Sequence, residues 1–369
     1  MRSFRKFIDI STHINGTKVK NNLPYVSSGI PSLDHIVGGG IPAGSIFVVE
    51  EDVLGVYSKV LFKYFIAEGV ACDHELFVTS LDEDPHKITS ELPQPCALPP
   101  EDEKAPSTDA EKMKIAWRYE GLSQVESSFG SNTNLGHNFD LSRYIDADTI
   151  EKSKIQYGTT TWQDSTLSWQ TTMRRGKLKS ALFHKLLRNI YETVLRSSGT
   201  NMLRLAIHSL GSPIWMAMDS DDTEFQNYGR DLIMFMYYLR ILIRDKNVAV
   251  FITIPSHLYE DPIIMKKVLY SAHNAVRIES FAGSEKETNP VYKDYHGLFH
   301  ITKLTALYTL VPFVPPSLDL AFKLKRKKFV IEKLHIPPEL EETSEREQDD
   351  ITATPSTACG GFRKKDIDF

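Results

Sequence analysis

The 369-residue chain has three cysteines, Cys72, Cys96 and Cys359, and no two of them stand at C-x-x-C spacing. That excludes a disulfide framework and a cysteine zinc site, and it fits a reducing compartment. No apolar run is long enough to span a bilayer: the longest, Leu232–Ile243, is broken by Arg240 and falls short of the ~18 residues a spanning helix needs. The N-terminal MRSFRKFIDI is basic, but Asp9 interrupts its apolar part too early for a signal peptide. A cytosolic or nuclear location is therefore expected. Nor is positive charge in excess: 43 Lys and Arg against 48 Asp and Glu leave −5, which excludes a basic coat but not a local basic patch. Internal repeats and helix-turn-helix or zinc-type DNA-binding motifs are absent as well.

Apolar residues make up 41% of the chain, enough for one large α/β domain with insertions. Short apolar runs at Ser45–Glu50, Glu75–Ser80, Leu203–Ile207 and Val248–Ile254 read as buried strands. Helical spacing marks Ser58–Glu68, Leu178–Arg196 and Phe225–Arg244, and Ala275–Glu279, Leu298–Lys303 and Phe329–Leu334 are later strand candidates. The alternation predicts a mostly parallel central sheet with helices on both faces and added C-terminal strands. Residues 1–22 are expected to be a flexible arm and 23–338 the domain. Loop-rich insertions are expected near 92–112, where Leu92–Ala110 alone holds five prolines, and near 121–176. Beyond Pro338, Glu339–Asp350 has seven acidic residues against one arginine, so 339–369 reads as an acidic, disordered tail.

The segment Ser28–Gly69 resembles the opening of a RecA-type nucleotide-binding domain: a glycine turn at Gly38–Gly40, a strand, a loop and a helix. A P-loop NTPase carries G-x-x-x-x-G-K-[ST] in that loop, cradling phosphates with backbone N–H groups and a lysine. The window aligned to it here is Asp52–Lys59, DVLGVYSK, with Asp52 and Tyr57 in place of glycines and Ser58 in place of lysine. Glu50, Glu51 and Asp52 set carboxylates where a triphosphate needs donors; they read as a solvated or subunit-facing acidic patch that repels ATP. A second element is also missing. Mg²⁺ is held in such enzymes by an acidic residue at a strand end, but LRLAI is followed by His208, a poor ligand for a cation that prefers oxygen. The one Gly-Lys elsewhere, Gly176-Lys177, has no glycine at the required spacing. Either the fold has been kept and the chemistry lost, or the chain was never an NTPase.

Longer strings carry a closer resemblance: SSGIPSLDHIVGGGIPAGS from Ser27, VLFKYFIAEG from Val60, MKIAWRY from Met113, HSLGSPIW from His208, GSEKETNPVYKDYHGLFHI from Gly283 and LAFKLKRKKFVIEKLHIPPEL from Leu320. In this order they resemble the PAXNEB family, the family of Elongator's fourth subunit, over about Ser27–Leu340, and the terminal ACGGFRKKDIDF resembles that family's end. The resemblance implies a RecA-like fold without a working Walker motif. It implies a hetero-hexameric ring built with Elongator subunits 5 and 6, which binds tRNA, docks on catalytic subunits 1 to 3 and supports wobble-uridine (U34) modification. No cofactor is expected for the chain itself, with ATP at ring interfaces only.

Several residues admit two roles. Lys303 falls where a lysine in KaiC-branch ATPases reaches the neighbour's nucleotide, or it is a solvated strand-end lysine. Lys323, Lys325, Arg326, Lys327 and Lys328 pack five basic residues into Phe322–Phe329; they form a phosphate-contacting strip or a solvated edge strand. Lys266 and Lys267 face either RNA in a ring channel or solvent on a helix. Trp215 is expected at an interface. His208 is expected to be a buried, hydrogen-bonded histidine. An active ATPase using Lys59 one position late is the competing hypothesis, and a transcription-elongation role is a third.

Overall fold

The computed structural model describes residues 14–96, 135–158, 178, 180–197, 199–217 and 225–335. Met113–Tyr119, Gly176-Lys177, much of both insertions and the acidic tail lie outside the described residues.

The first element is a hairpin of β1 (Thr17–Lys20) and β2 (Leu23–Val26). Its turn residues Asn21 and Asn22 have φ of 53° and 59°, the left-handed pair that a type I′ turn needs and that Asn tolerates. The expected flexible arm is therefore structured from Ile14 onward, and Ile14 itself is buried. Backbone pairing holds β1, three of whose four residues are exposed, so its polar sequence concealed it. Helix α1 (Pro31–Ile36) and the glycine turn follow, and β3 (Ile41–Pro42) returns to pair with β2. Gly38, Gly39 and Gly40 have φ of 91°, 107° and 107°, and a β-carbon at Gly40 would meet the Val26 carbonyl oxygen at 2.5 Å. The turn therefore requires glycine whether or not a ligand is present.

The main body then runs β4 (Ser45–Glu50), α2 (Val56–Ala71), β5 (Glu75–Ser80), α3 (Pro85–Ser90), β6 (Pro93–Cys96), β7 (Asn138–Tyr144), α4 (Ala147–Lys152), β8 (Ile155–Tyr157), α5 (Ala181–Arg196), β9 (Leu203–His208), α6 (Pro213–Ala217), α7 (Phe225–Ile243), β10 (Val248–Ile254), α8 (Pro262–Ser271), β11 (Asn274–Ser280), α9 (Glu285–Thr288), β12 (Gly297–Lys303), β13 (Leu320–Leu324) and β14 (Phe329–Lys333). Nine strands form one sheet in the order β14-β13-β12-β11-β4-β10-β9-β5-β8. From β11 to β8 every pairing is parallel, and β12, β13 and β14 add an antiparallel extension. Numbering β4, β5, β9, β10 and β11 as the first to fifth core strands gives the spatial order 5-1-4-3-2, the RecA-like α/β arrangement.

Alternation along the strands divides the core. Phe47 and Val49 of β4 face α2 through Phe62 and Phe65, while Ile46 and Val48 face α5, α7 and α8 through Phe183, Phe235 and Val268. Burial on both faces explains the near-continuous apolar runs of the parallel strands. Helix α5 begins at Ala181 because the Ser180 hydroxyl accepts the Phe183 N–H at 3.4 Å and Asp231 accepts the Ser180 N–H at 2.6 Å. Trp215 belongs to this core, contrary to the interface expected for it. Its ring stacks on Phe183 at 5.4 Å, and its indole N–H donates to the Ser209 carbonyl at 3.1 Å.

Candidate functional site

In a P-loop the phosphate-binding residues connect the first core strand to the helix that follows it. Here β4 ends at Glu50 and α2 starts at Val56. Measured from those ends, the eight-residue window is Glu51–Ser58, one residue earlier than the sequence alignment placed it. Tyr57 then stands where the lysine would be, and Ser58 occupies the Ser/Thr position. The Tyr57 ring packs edge-on against Phe322 at 4.8 Å, so the side chain in the lysine's place is built into the core.

The N-terminus of α2 is already filled. Asp52 Oδ1 accepts the N–H groups of Tyr57 and Ser58 at 3.1 and 3.0 Å, and Oδ2 accepts that of Val56 at 3.0 Å. Gly55, with φ of 65°, turns the chain so that the carboxylate, 1% exposed, can reach back onto these donors. The unpaired N–H groups and positive dipole end of a helix attract an anion; in this chain the anion is its own side chain. The solvated acidic patch expected at Glu50–Asp52 is corrected: all three are buried, because each has an internal partner. Glu50 accepts the Thr302 hydroxyl at 3.3 Å. Glu51 accepts the Ser209 hydroxyl at 2.8 and 3.1 Å, and burial pushes its pKa up. A triphosphate here would have to displace one carboxylate and lie beside two more, so the residues present do not fit ATP.

The remaining pocket residues are committed elsewhere. Lys59 forms an ion pair with Glu83. His208 ends β9 in register with Ser80, its Nδ1 lies 3.2 Å from the Ser80 hydroxyl, and its ring packs on Phe62 at 5.2 Å. Burial pushes its pKa down to about 4, so it is neutral near pH 7. Lys303 is not a solvated lysine: its ammonium donates to the carbonyls of Tyr270 and Ala272 at 2.8 and 2.6 Å, closing the C-terminal end of α8.

The basic residues separate into two groups. Lys323 pairs with Glu332 at 2.9 Å and lies 4.4 Å over the Tyr295 ring, which removes it from the strip expected over Phe322–Phe329. Lys325, Arg326, Lys327 and Lys328 are exposed and form the tight turn between β13 and β14, closed by Lys325 N–H to Lys328 C=O at 2.9 Å. They therefore lie on a hairpin tip and not along an edge strand. Lys266 and Lys267 are exposed on α8 and border an apolar groove with Ile233, Met234, Tyr237 and Tyr270.

One cluster had no signal in the sequence. Arg204 on β9 is fully buried; it donates to His74 Nδ1 at 2.9 Å and to the Ser27 and Phe65 carbonyls at 2.9 and 3.1 Å. His74 therefore carries its proton on Nε2, which donates to the Asn15 carbonyl at 2.8 Å. Glu68, also fully buried, accepts the His137 backbone N–H at 3.0 Å and meets His137 Nδ1 at 3.2 Å. Burial alone would raise the Glu68 pKa, but His137 and the Arg204 charge hold it below the ordinary value. Ligand-type atoms of Glu68, Cys72 and His137 lie within 4.8 Å of one another, but the Arg204 cation beside them does not fit a metal ion there. Among the described residues, no helix is long and apolar enough to cross a membrane.

Comparison with known proteins adds the lineage. The family model described as PAXNEB protein matches residues 11–369. Elongator complex protein 4 of Danio rerio is 37% identical over 94% of this chain and 91% of its own. The Homo sapiens protein of the same name is 38% identical over 90% and 82%, and the Drosophila melanogaster one 32% over 97% and 98%. Among solved structures, a KaiC-like protein of Pyrococcus horikoshii matches 84% of this chain and 99% of its own, at 15% identity and a TM-score of 0.44.

Proposed function

This chain belongs to the PAXNEB family, and from that premise we propose that it serves the Elongator complex as a RecA-like subunit with no nucleotide chemistry of its own. The observation that carries the non-catalytic half of the proposal is the Asp52 carboxylate on three N–H groups of α2. A phosphate-binding helix end neutralised from within lacks the donors that phosphoryl transfer depends on, and Tyr57 supplies no cation in the lysine's place. The names of the relatives support the Elongator half. In this proposal the chain joins Elongator subunits 5 and 6 in a hetero-hexameric ring in the cytoplasm or nucleus. The ring binds tRNA, docks on catalytic subunits 1 to 3 and supports U34 modification, and any ATP turnover belongs to ring interfaces. The chain's own contribution is interfaces and RNA-facing basic residues.

The test is co-expression with subunits 5 and 6 followed by mass measurement and tRNA titration. The expected result is a six-chain assembly that binds tRNA. Monomeric chain that co-purifies with neither subunit would overturn the ring. For the nucleotide half, Mg-ATP is expected to leave the melting temperature of the lone chain unchanged; a rise of several degrees, the signature of ligand bound to the native state, would reverse that half.

A further inference from the structure

Several basic side chains in the described part of this acidic chain have carboxylate partners: Lys59 with Glu83, Lys63 with Glu91, Lys154 with Asp73, Lys286 with Glu279 and Lys323 with Glu332. The β13–β14 turn is different. None of Lys325, Arg326, Lys327 and Lys328 forms a salt bridge among the described residues, and all four are exposed. A fifth cation joins them from far away in sequence. Strand β7 approaches the turn closely enough for the Leu141 N–H to donate to the Lys327 carbonyl at 2.8 Å. Two residues on from Leu141, in the irregular stretch of β7 that lies between the Gln94–Asp140 and Pro93–Tyr144 pairings, stands exposed Arg143. Lys327 and Arg143 both act on Asp140, but that carboxylate already accepts the backbone N–H of Ser142 at 2.9 Å and its hydroxyl at 2.5 Å. One acid with its oxygen so engaged does not neutralise five cations.

We propose that Lys325, Arg326, Lys327, Lys328 and Arg143 form one contact surface for the sugar–phosphate backbone of RNA. The proposal rests on the tRNA-binding function proposed above and names where this chain would meet the RNA. A hairpin tip projects its side chains away from the domain, which suits the closely spaced phosphates of a folded RNA. The surface is wholly cationic, with no aromatic side chain among its five residues. It is therefore built for backbone contact and counterion release, not for reading bases. An RNA bound here is held with little regard to sequence and with strong salt dependence.

The test uses the full-length chain co-assembled with Elongator subunits 5 and 6, and a 5′-labelled tRNA transcript titrated at several salt concentrations. Arg143→Gln and Arg326→Gln are each expected to weaken binding about three- to ten-fold and to lower the salt slope by about one contact's worth, ~0.7 to 0.9 in log K against log salt. Arg244→Gln, which alters an exposed arginine away from the turn, is expected to leave both unchanged. Melting temperatures are measured in parallel, and the substituted side chains, being exposed, are expected to leave them within a degree. If the wild-type assembly binds tRNA and both variants bind it equally well, this surface is wrong and the tRNA-binding function stands. If the wild-type assembly binds no tRNA, the broader proposal falls with it. Loss of another Elongator subunit from the variants, with tRNA affinity intact, would assign the patch to an acidic protein partner and overturn the RNA contact.

Discussion

Helix α2 buries a carboxylate at each end, and the two ends are stabilised in different ways. At the start, Asp52 is satisfied by three backbone N–H groups, donors that exist in any helix and that water or another anion could also satisfy. At the far end, Glu68 is satisfied by the backbone N–H and imidazole of His137 and by the charge of a fully buried guanidinium, partners supplied by distant parts of the chain. The first end is a helix N-terminus closed by a side chain; the second ties β9 and the chain before β7 to the helix. The cost of removing each carboxylate should differ accordingly.

Glu68→Ala should have the largest effect. It removes the carboxylate whose charge acts most strongly on buried Arg204, and leaving a buried charge uncompensated costs about 3–5 kcal/mol. Urea unfolding of the variant is the measurement. A loss under about 1 kcal/mol would mean the carboxylate is not the counter-ion of Arg204, and the contrast between the two ends would disappear.

Acidification acts on both ends through neutral histidines. Burial holds His74 at the far end and His208 near the start at about 4, against an ordinary 6.5. The unfolded chain therefore takes up protons that the native chain refuses, so stability is full above about pH 6.5 and falls as pH drops toward 4. Asp34, raised by burial to about 6, works the other way: its contribution is full below its ordinary 3.8 and is lost as pH rises through 6. For His74, His208 and Asp34 together the expectation is a loss of about 2–4 kcal/mol between pH 7 and pH 4.5, and His273, also lowered by burial to about 4, adds to it; urea melts across that range read the sum. His208→Asn should flatten the profile by one group's share; an unchanged slope would mean His208 is solvated.

Little of this contrast was readable in advance. The parallel strands were, because burial on both faces writes a plain apolar run: Ser45–Glu50, Glu75–Ser80 and Val248–Ile254 have the bounds expected for them. Strand β13 was not, since Lys323, paired with Glu332, interrupts the apolar pattern of LAFKL. Absence of the phosphate motif was also visible, but the window compared with it was off by one residue, because only the strand and helix ends fix where the loop begins. Asp52 was read as a repulsive charge. Its capping role depends on Gly55 reversing the chain, which places the acid four residues before the helix, outside the usual N-cap spacing. Arg204 and Glu68 come within electrostatic range from separate strand and helix positions, and no periodicity announces such an approach.

Asp52→Ala comes third. Loss of a capping carboxylate costs about 1–2 kcal/mol, less than at the far end because the freed groups are neutral N–H donors and not a buried charge. The distinguishing result is recovery: added sulfate or inorganic phosphate should raise the melting temperature of Asp52→Ala more than that of the wild type, since the vacated helix end accepts an anion. Equal response in both proteins would mean the helix end is not an anion site even when vacated, leaving the resemblance to a phosphate loop one of backbone path alone.

The smallest effect is assigned to Lys59, and it is the most discriminating about nucleotide. Its ion pair with Glu83 is partly exposed, with side-chain exposures of 29% and 19%, and pairs of that kind contribute ~0.2–1 kcal/mol. Lys59→Gln should therefore shift the urea midpoint barely beyond error, with no change in the response to Mg-ATP, because the ammonium is turned to Glu83 and the helix donors beside it are held by Asp52. A lysine gripping phosphate behaves otherwise: its removal would abolish an ATP-dependent rise in melting temperature while leaving ligand-free stability intact. Such a rise in the wild type, lost in Lys59→Gln, would turn the start of α2 from a closed end into an open one.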